Sequence, residues 1–261
     1  MSATAVLARR ERYRRWLPYG LGTGGSDLRL FCLPHVGGGA SAFAGWIDPL
    51  APAVDVCPVQ SPGRENRLGE PPMTRMDELV DALASALLPF LDVPFALLGH
   101  SMGGIVGYEL AGELWRRYRL VPSMLIVSSS SAPHLVDHGR TALEGLSDAE
   151  FVRTVHETYG GIPDTLADQP ELLAAFLPAL RGDMALMDSY RPLDRPPVRA
   201  PLLVLGGTED QAVPRAVLEP WSEYAARGLT LRMLPGGHFH PFTGDRFPEL
   251  LADQLRKGPR S

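Results

Sequence analysis

Residues 95–103 have the sequence Phe95-Ala96-Leu97-Leu98-Gly99-His100-Ser101-Met102-Gly103, and this stretch decides the fold. An apolar run that predicts a buried strand leads directly into a G-x-S-x-G motif, and a helical pattern follows. This order is typical of a nucleophile elbow, a turn so tight that side chains at the flanking glycine positions would clash. The amide groups at the start of the following helix face the serine and favour negative charge there. The motif therefore predicts that Ser101 is a nucleophile.

A serine hydroxyl needs a base to take its proton, so the elbow requires a histidine and an orienting acid elsewhere. In this arrangement the acid and then the histidine follow the serine along the chain. Asp210 follows the apolar pattern of residues 202–205, and His238 follows that of residues 229–234. The carboxyl ends of parallel strands share one sheet edge, where open α/β sheets place their sites. We therefore predict the triad Ser101, Asp210 and His238.

Each member of this triad has an alternative interpretation. Ser101 taken alone is also compatible with an ordinary turn. Glu209 competes for the acid, and we favour Asp210 because an apolar segment follows it. His240 competes for the base, and we favour His238 because the two glycines before it let the loop return over the sheet edge.

Two backbone N–H groups should meet the negative oxygen of the tetrahedral intermediate. The N–H of Met102, directly after the nucleophile, is one predicted donor. The N–H of Val36 is the other, because it lies in the glycine-rich loop after the first predicted strand. This loop lacks the Lys-Ser/Thr ending of a phosphate-binding loop. We expect His35 to be a structural, hydrogen-bonding residue of the loop rather than a second base.

Composition sets limits on the function. A chain of 261 residues can bury one large core, so we predict a single domain over residues 1–261. The net charge of −5 argues against a nucleic-acid partner, and no apolar run approaches the roughly 20 residues that span a membrane. Neither a zinc-ligand spacing nor a dinucleotide motif occurs, so we expect no metal and no cofactor. Cys32 and Cys57 are expected to be buried free thiols, and an arginine-rich start without a secretion signal predicts a cytoplasmic protein.

Strand and helix patterns alternate along most of the chain. This alternation predicts an α/β fold, a mostly parallel central sheet with helices on both faces. Predicted strands lie at residues 28–33, 54–59, 95–98, 124–128, 202–205 and 229–234, and helices at 42–50, 76–91, 104–119, 215–227 and 248–257.

One segment, from about residue 146 to 190, has helical patterns only. Ser147 and Glu150 have the spacing of a capping box at the start of its first helix, and two more helices are predicted at 171–180 and 183–190. Inserted above the carboxyl edge of the sheet, these helices would form a lid over the serine, although an insertion that only packs has the same pattern. Methionines are adaptable and suit a surface that touches varied apolar chains, although they fill cores just as often. The candidate substrate-binding residues of this segment are Met184, Met187 and Tyr190.

Together these motifs resemble the stand-alone (type II) thioesterases that accompany polyketide synthases and nonribosomal peptide synthetases, within the α/β-hydrolase fold. The resemblance covers nearly the whole chain. Val36 stands where the family commonly has alanine, which a backbone donor tolerates, and His240 stands where an aromatic or apolar residue is more usual. The matching segments are residues 31–41, Ser61-Pro62-Gly63-Arg64-Glu65 with Arg67 and Glu70-Pro71-Pro72, and residues 99–104, 159–163, 177–183 and 236–239.

The resemblance implies a substrate, a partner and a role. The substrate would be an acyl group held as a thioester on the phosphopantetheine arm of an acyl or peptidyl carrier protein. The enzyme would dock transiently and remove wrong or stalled acyl groups, with pantetheine as part of the substrate rather than a cofactor. Because carrier proteins are usually acidic, Arg64, Arg67 or the N-terminal arginines are candidates for docking, although each is also explained as a solvated or structural charge.

Three other functions stay open at this point. A general carboxylesterase or lipase of the same fold would share the triad but prefer oxygen esters. A chain-terminating cyclase or a medium-chain acyl-carrier-protein hydrolase would show narrow chain selectivity or ring products. A non-catalytic binding module would also have this fold, but the presence of all three triad residues argues against it.

Overall fold

A computed structural model of the chain describes residues 15–21, 26–136, 143, 145–160, 169–244 and 246–257. Among these residues, six strands form one sheet in which every neighbouring pair is parallel. The order across the sheet is β2-β1-β3-β4-β5-β6. In chain order the strands are β1 (Arg29–Leu33), β2 (Asp55–Pro58), β3 (Phe95–His100), β4 (Met124–Ser128), β5 (Leu202–Gly207) and β6 (Leu229–Leu234).

Helices connect consecutive strands and cover both faces of the sheet, which confirms the predicted fold class. Three predicted helices, at 42–50, 76–91 and 215–227, are α-helical over only part of their length and 3-10 helical over most of the rest, and residues 225–227 are not helical. Prolines within the last two explain the change, because proline has no N–H to continue an α-helical ladder. The α-helices of the described ranges are α1 (Ile47–Leu50), α2 (Met76–Leu87), α3 (Met102–Tyr118), α4 (Asp148–Tyr159), α5 (Pro170–Ser189), α6 (Arg215–Leu218) and α7 (Arg246–Lys257).

The hydrophobic core is divided by the sheet into two layers. Because side chains alternate across a strand, Phe31 of β1 packs in the layer with α2 and α3, while Leu30 packs in the layer with α7. Cys32 and Cys57 lie in opposite layers and are buried free thiols, as predicted. Burial raises the pKa of both thiols far above the usual range, so they stay protonated and unreactive.

Helices α4 and α5, the insertion helices, lie between β4 and β5 in the chain. The predicted capping box is present: the Ser147 hydroxyl accepts from the Glu150 N–H, and the Glu150 carboxylate accepts from the Ser147 N–H at 2.9 Å. Helix α5 is one continuous helix of 20 residues, so the prediction of two separate helices at 171–180 and 183–190 is wrong. Leu180 and Leu186 are fully buried on either side of the expected break, and this packing overrides the local signals of Pro178 and Gly182.

The insertion helices form a small hydrophobic cluster of their own, separate from the two layers of the sheet. Its buried members are Phe151, Val152 and Val155 of α4 with Leu177 and Leu180 of α5. Within the described ranges no helix combines the length and the apolar character needed to cross a bilayer.

Candidate active site

Ser101 occupies a strained turn between β3 and α3. Its backbone has φ 53° and ψ −120°, a conformation that non-glycine residues rarely adopt. The Ser101 N–H donates to the carbonyl oxygen of Ser128 at 2.8 Å, which ties the turn to the end of β4. A Cβ atom at Gly99 would lie 1.8 Å from the carbonyl oxygen of Gly103, so only glycine fits the first position of the motif. The turn has the strand, strained serine and helix of a nucleophile elbow.

Asp210 and His238 meet at the same sheet edge, just beyond β5 and β6. The distance from His238 Nδ1 to Asp210 Oδ2 is 2.9 Å, and both side chains are buried. Because a carboxylate only accepts hydrogen bonds, Nδ1 carries the proton and Nε2 is left as the acceptor. Burial opposes ionisation of Asp210, but the hydrogen bonds from His238 and from the Val213 N–H outweigh it, and the pKa of Asp210 lies below its ordinary value.

Ser101 and His238 line one cavity of about 720 Å³, together with the two predicted oxyanion donors, Met102 and Val36. In the described part of the chain the Ser101 hydroxyl and His238 are neighbours on the cavity wall rather than hydrogen-bond partners. Such contacts often tighten only when substrate binds. The arrangement can supply a nucleophile, a base held by an acid, and backbone donors around one space.

The competing residues lie elsewhere. Glu209 is exposed to solvent, one residue before the buried Asp210. His240 is buried and does not line the cavity; its Nε2 lies 3.5 Å from Ser128 Oγ and its ring packs against Phe247. Burial, partly offset by Asp210, lowers the pKa of His240 to about 4. The structure thus gives His240 a packing role that the sequence did not explain.

His35 lines the cavity, but its side chain does not have the expected hydrogen-bonding role at Nδ1. Among the described residues this buried atom has no hydrogen-bond partner, and the ring packs edge-on against His100 and Phe239. Burial and the neighbouring His238 and Arg64 lower the pKa of His35 to about 4. The side chain is therefore neutral near pH 7 and fills space under the loop.

The structure brings two of the three predicted substrate-binding residues to the cavity. Met184 and Met187 lie on its wall. Tyr190 does not: it is 2% exposed in the core, where its hydroxyl donates to Glu109 at 2.8 Å. It follows the last residue of α5 in an extended conformation, which takes the ring away from the cavity and towards a buried carboxylate.

Sequence reasoning missed most of the cavity wall. The signal was present on α5, because the missed residues recur at helical spacing of three and four. On α4, Val155 and Tyr159 have the same spacing. The missed residues of α5 are Leu172, Ala175, Phe176 and Ala179.

Arg64 and Arg67 are structural charges and do not form an exposed docking patch. Arg64 is 5% exposed and pairs with Asp183, and Arg67 is 6% exposed and pairs with Glu70. Arg67 also lies over the ring of Trp16, 4.3 Å from its centroid. Of the N-terminal arginines, Arg15 is exposed, whereas Arg9, Arg10, Arg12 and Arg14 lie outside the described residues.

The sheet is parallel, a strained serine follows β3, and an Asp–His pair follows β5 and β6. Together these features define an α/β hydrolase. Comparison with known proteins refines this class. The pattern of the family described as "Thioesterase domain" matches residues 28–257, so the chain belongs to the thioesterase family and is a hydrolase of thioesters. The resemblance to type II thioesterases inferred from the sequence is confirmed.

Three relatives illustrate the match. GrsT, the gramicidin S biosynthesis protein of Aneurinibacillus migulanus, is 34% identical over 232 residues, covering 88% of this chain and 90% of that protein. The RedJ thioesterase of the prodiginine biosynthetic pathway in Streptomyces coelicolor is 37% identical, with a TM-score of 0.80 over 89% of this chain and 91% of that one. The type II thioesterase BorB from the borrelidin biosynthetic cluster is 35% identical, with a TM-score of 0.78, covering 88% of this chain and 93% of that one.

Proposed function

We propose that this thioesterase hydrolyses acyl groups from the phosphopantetheine arm of acyl or peptidyl carrier proteins and so edits the products of a multimodular synthase. The observation that carries the proposal is the shared cavity, in which Ser101 and His238 face a wall made by the insertion helices. Relatives from gramicidin S, prodiginine and borrelidin biosynthesis support the choice of substrate class.

Acylation begins when His238 Nε2 takes the proton of the Ser101 hydroxyl, while Asp210 holds the imidazole in the required tautomer. The serine oxygen attacks the thioester carbonyl and forms a tetrahedral intermediate. As this intermediate collapses, the carbon–sulfur bond breaks and His238 gives its proton to the departing pantetheine thiol. The products of this step are the free carrier arm and an ester of Ser101.

The oxyanion of the intermediate is stabilised by the N–H groups of Met102 and Val36. Met102 is the first residue of α3, where the free amide groups of the helix favour negative charge. Val36 lies in the loop after β1 and lines the same cavity as Met102. Each such donor contributes about 10²- to 10³-fold to turnover.

Deacylation repeats the same steps with water as the nucleophile. His238 takes one proton from water, the hydroxide oxygen attacks the ester, and the carboxylic acid leaves as Ser101 recovers the proton. The proposed reaction requires no metal or organic cofactor, and the pantetheine enters and leaves as part of the carrier.

The proposed partner interaction is transient and the proposed location is the cytoplasm. The two buried cysteines, present as free thiols, support a reducing compartment.

The decisive experiment compares hydrolysis of a series of acyl groups on a holo carrier protein with hydrolysis of the same groups as simple oxygen esters. We expect broad and slow release from the carrier that is faster than from the oxygen esters. Preference for oxygen esters would contradict the proposal and indicate a general esterase, and a narrow optimum at one chain length would indicate a medium-chain hydrolase.

Ser101→Ala tests the proposed nucleophile in the same assay. Loss of the hydroxyl removes the acyl-enzyme route, so we expect kcat to fall by about 10⁴- to 10⁶-fold. Ser222→Ala, at an exposed serine away from the cavity, is the matched control and should retain wild-type turnover. Unchanged hydrolysis by Ser101→Ala would disprove the nucleophile assignment.

A further inference from the structure

A buried ion pair links the loop after β2 to helix α5. Arg64 Nη1 and Nη2 donate to the two carboxylate oxygens of Asp183 at 2.6 and 2.7 Å. Both side chains are almost completely removed from solvent, with 5% of Arg64 and 3% of Asp183 exposed. The two residues are 119 positions apart in sequence, so the contact exists only in the folded chain.

The same two side chains also hold the backbone of residues 35–39, the oxyanion loop. The Gly37 N–H donates to Asp183 Oδ2 at 2.8 Å, and Arg64 Nη1 donates to the Gly38 carbonyl at 3.0 Å. These bonds fix the peptide groups directly after Val36, the residue whose N–H is the proposed second oxyanion donor. Polar partners are needed here because a buried peptide group without a hydrogen bond is costly.

Helix α5 also packs directly on the oxyanion loop. Gly37 has φ +73°, and a Cβ atom there would lie 2.7 Å from the ring of Phe176 and 2.9 Å from Leu180. Asp183 lies one turn further along the same helix. The helix that forms the wall of the acyl cavity therefore touches the loop through both apolar and charged side chains.

We propose that Arg64 and Asp183 are positioning residues that hold the oxyanion loop in its catalytic conformation and couple that conformation to the position of α5. Asp183 orients the Gly37 peptide, Arg64 orients the Gly38 peptide, and the ion pair joins both to the helix that contacts the acyl chain. This inference rests on the proposed function, because it assigns the pair to the reaction at Ser101. Displacing a donor by about 1 Å can cost roughly 10²-fold in rate.

The test removes both charges together in Arg64→Met/Asp183→Leu. A single removal would leave the other charge buried without a partner, whereas replacing both with apolar side chains often preserves the fold. We expect kcat to fall about 10²-fold with KM changed less than threefold. The affinity for an alkyl boronic acid, which forms a tetrahedral adduct with the serine, should fall by the same factor as kcat.

Asp183→Asn gives a second measurement. Its amide oxygen can still accept from the Gly37 N–H but no longer forms an ion pair with Arg64, so we expect kcat and boronate affinity between those of the wild type and the double variant. If the double variant does not fold, this variant decides: reduced boronate affinity in folded protein supports the proposal, and wild-type affinity overturns it.

Asp148→Asn is the matched control. Asp148 forms an ion pair with Arg181 at 2.8 Å that also joins α4 to α5, but it is exposed and does not touch the oxyanion loop. We expect wild-type kcat and boronate affinity within twofold.

Active-site labelling with a fluorophosphonate separates a positioning role from a merely structural one. If the double variant labels to completion yet turns over slowly, the pair positions the loop. The proposal is overturned if the folded double variant keeps wild-type kcat and boronate affinity. It is also overturned if the decrease in turnover equals the decrease in the fraction of enzyme that is labelled at the serine. Failure of the proposed function would be seen separately, as a preference of the wild-type enzyme for oxygen esters. In that case the variants can be compared on oxygen esters, because hydrolysis of these esters forms the same oxyanion.

Discussion

The sheet edge and the insertion helices above it are built in different ways. At the sheet edge, Ser101, Asp210 and His238 each follow a strand whose position is set by a parallel backbone ladder. The insertion helices rest on a separate cluster of five buried side chains, on one buried ion pair and, near the end of α5, on Leu186 in the sheet core. The position of the proposed triad thus depends on backbone register, whereas the proposed acyl-binding wall depends on a few side chains. Substitutions at the edge should therefore change rate, and substitutions of the helix side chains that line the cavity should change selectivity.

After removal of the Ser101 hydroxyl, the largest effect is expected at the sheet edge, from Asp210→Asn. The amide no longer enforces the tautomer of His238 in which Nε2 accepts a proton, so kcat for a carrier-bound thioester should fall about 10⁴-fold. Glu209→Gln, at the exposed neighbouring position, is the control and should change kcat less than twofold. A large loss in the control with none in Asp210→Asn would move the acid to Glu209.

The second effect compares the same substitution in the two regions. Leu98 of β3 and Leu180 of α5 are both fully buried, but Leu98 lies in a layer of the sheet core and Leu180 in the small cluster of the insertion helices. We expect Leu98→Ala to lower the free energy of unfolding by about 3–5 kcal/mol and Leu180→Ala by about 2–3 kcal/mol, because the smaller cluster can relax around a cavity. Urea unfolding measures both. Equal costs would show that the helices are packed as firmly as the sheet.

The third effect is the pH dependence of stability, which should arise at the sheet edge. The pKa values of His35 and His240 are lowered to about 4 in the folded protein, below the ordinary value of about 6.5. Between these values the unfolded chain binds more protons, so the free energy of unfolding should fall as the pH falls from 6.5 towards 4. Each histidine should contribute up to about 2 kcal/mol between pH 7 and 5. Urea unfolding of the wild type and His240→Gln checks this, and an equal slope in both would contradict it.

The smallest effect is expected on the cavity wall, from Met184→Ala. Shortening this side chain enlarges the acyl cavity, so the ratio of kcat/KM for long to short acyl groups should rise about tenfold. Hydrolysis of the carrier-bound acyl series measures the ratio. A uniform loss of rate at all chain lengths would show that Met184 supports the chemistry rather than the selectivity.

The same division explains how much of the molecule the sequence could predict. All six strands occur within two residues of the predicted bounds, because a buried strand has a local pattern that its neighbours do not change. The position of the serine, acid and histidine after three of these strands follows from the same pattern. The site predictions that failed concern residues whose contacts are distant in sequence. The sequence around Arg64 is compatible with an exposed charge, and only the fold shows that Asp183 pairs with it. Tyr190 was expected on the cavity wall, but in the fold its hydroxyl binds Glu109 in the core.

The order of the proposed catalytic residues along the chain also determines when each becomes available during synthesis. The elbow is held by β1, β3 and β4, and the last residue of these strands is Ser128. The proposed base comes from beyond β6, at the edge of the sheet and 110 residues later than β4 in the chain. A nascent chain that ends before residue 238 contains Ser101 but not the imidazole that is proposed to take its proton. Chains that end before residue 238 are therefore expected to lack thioesterase activity.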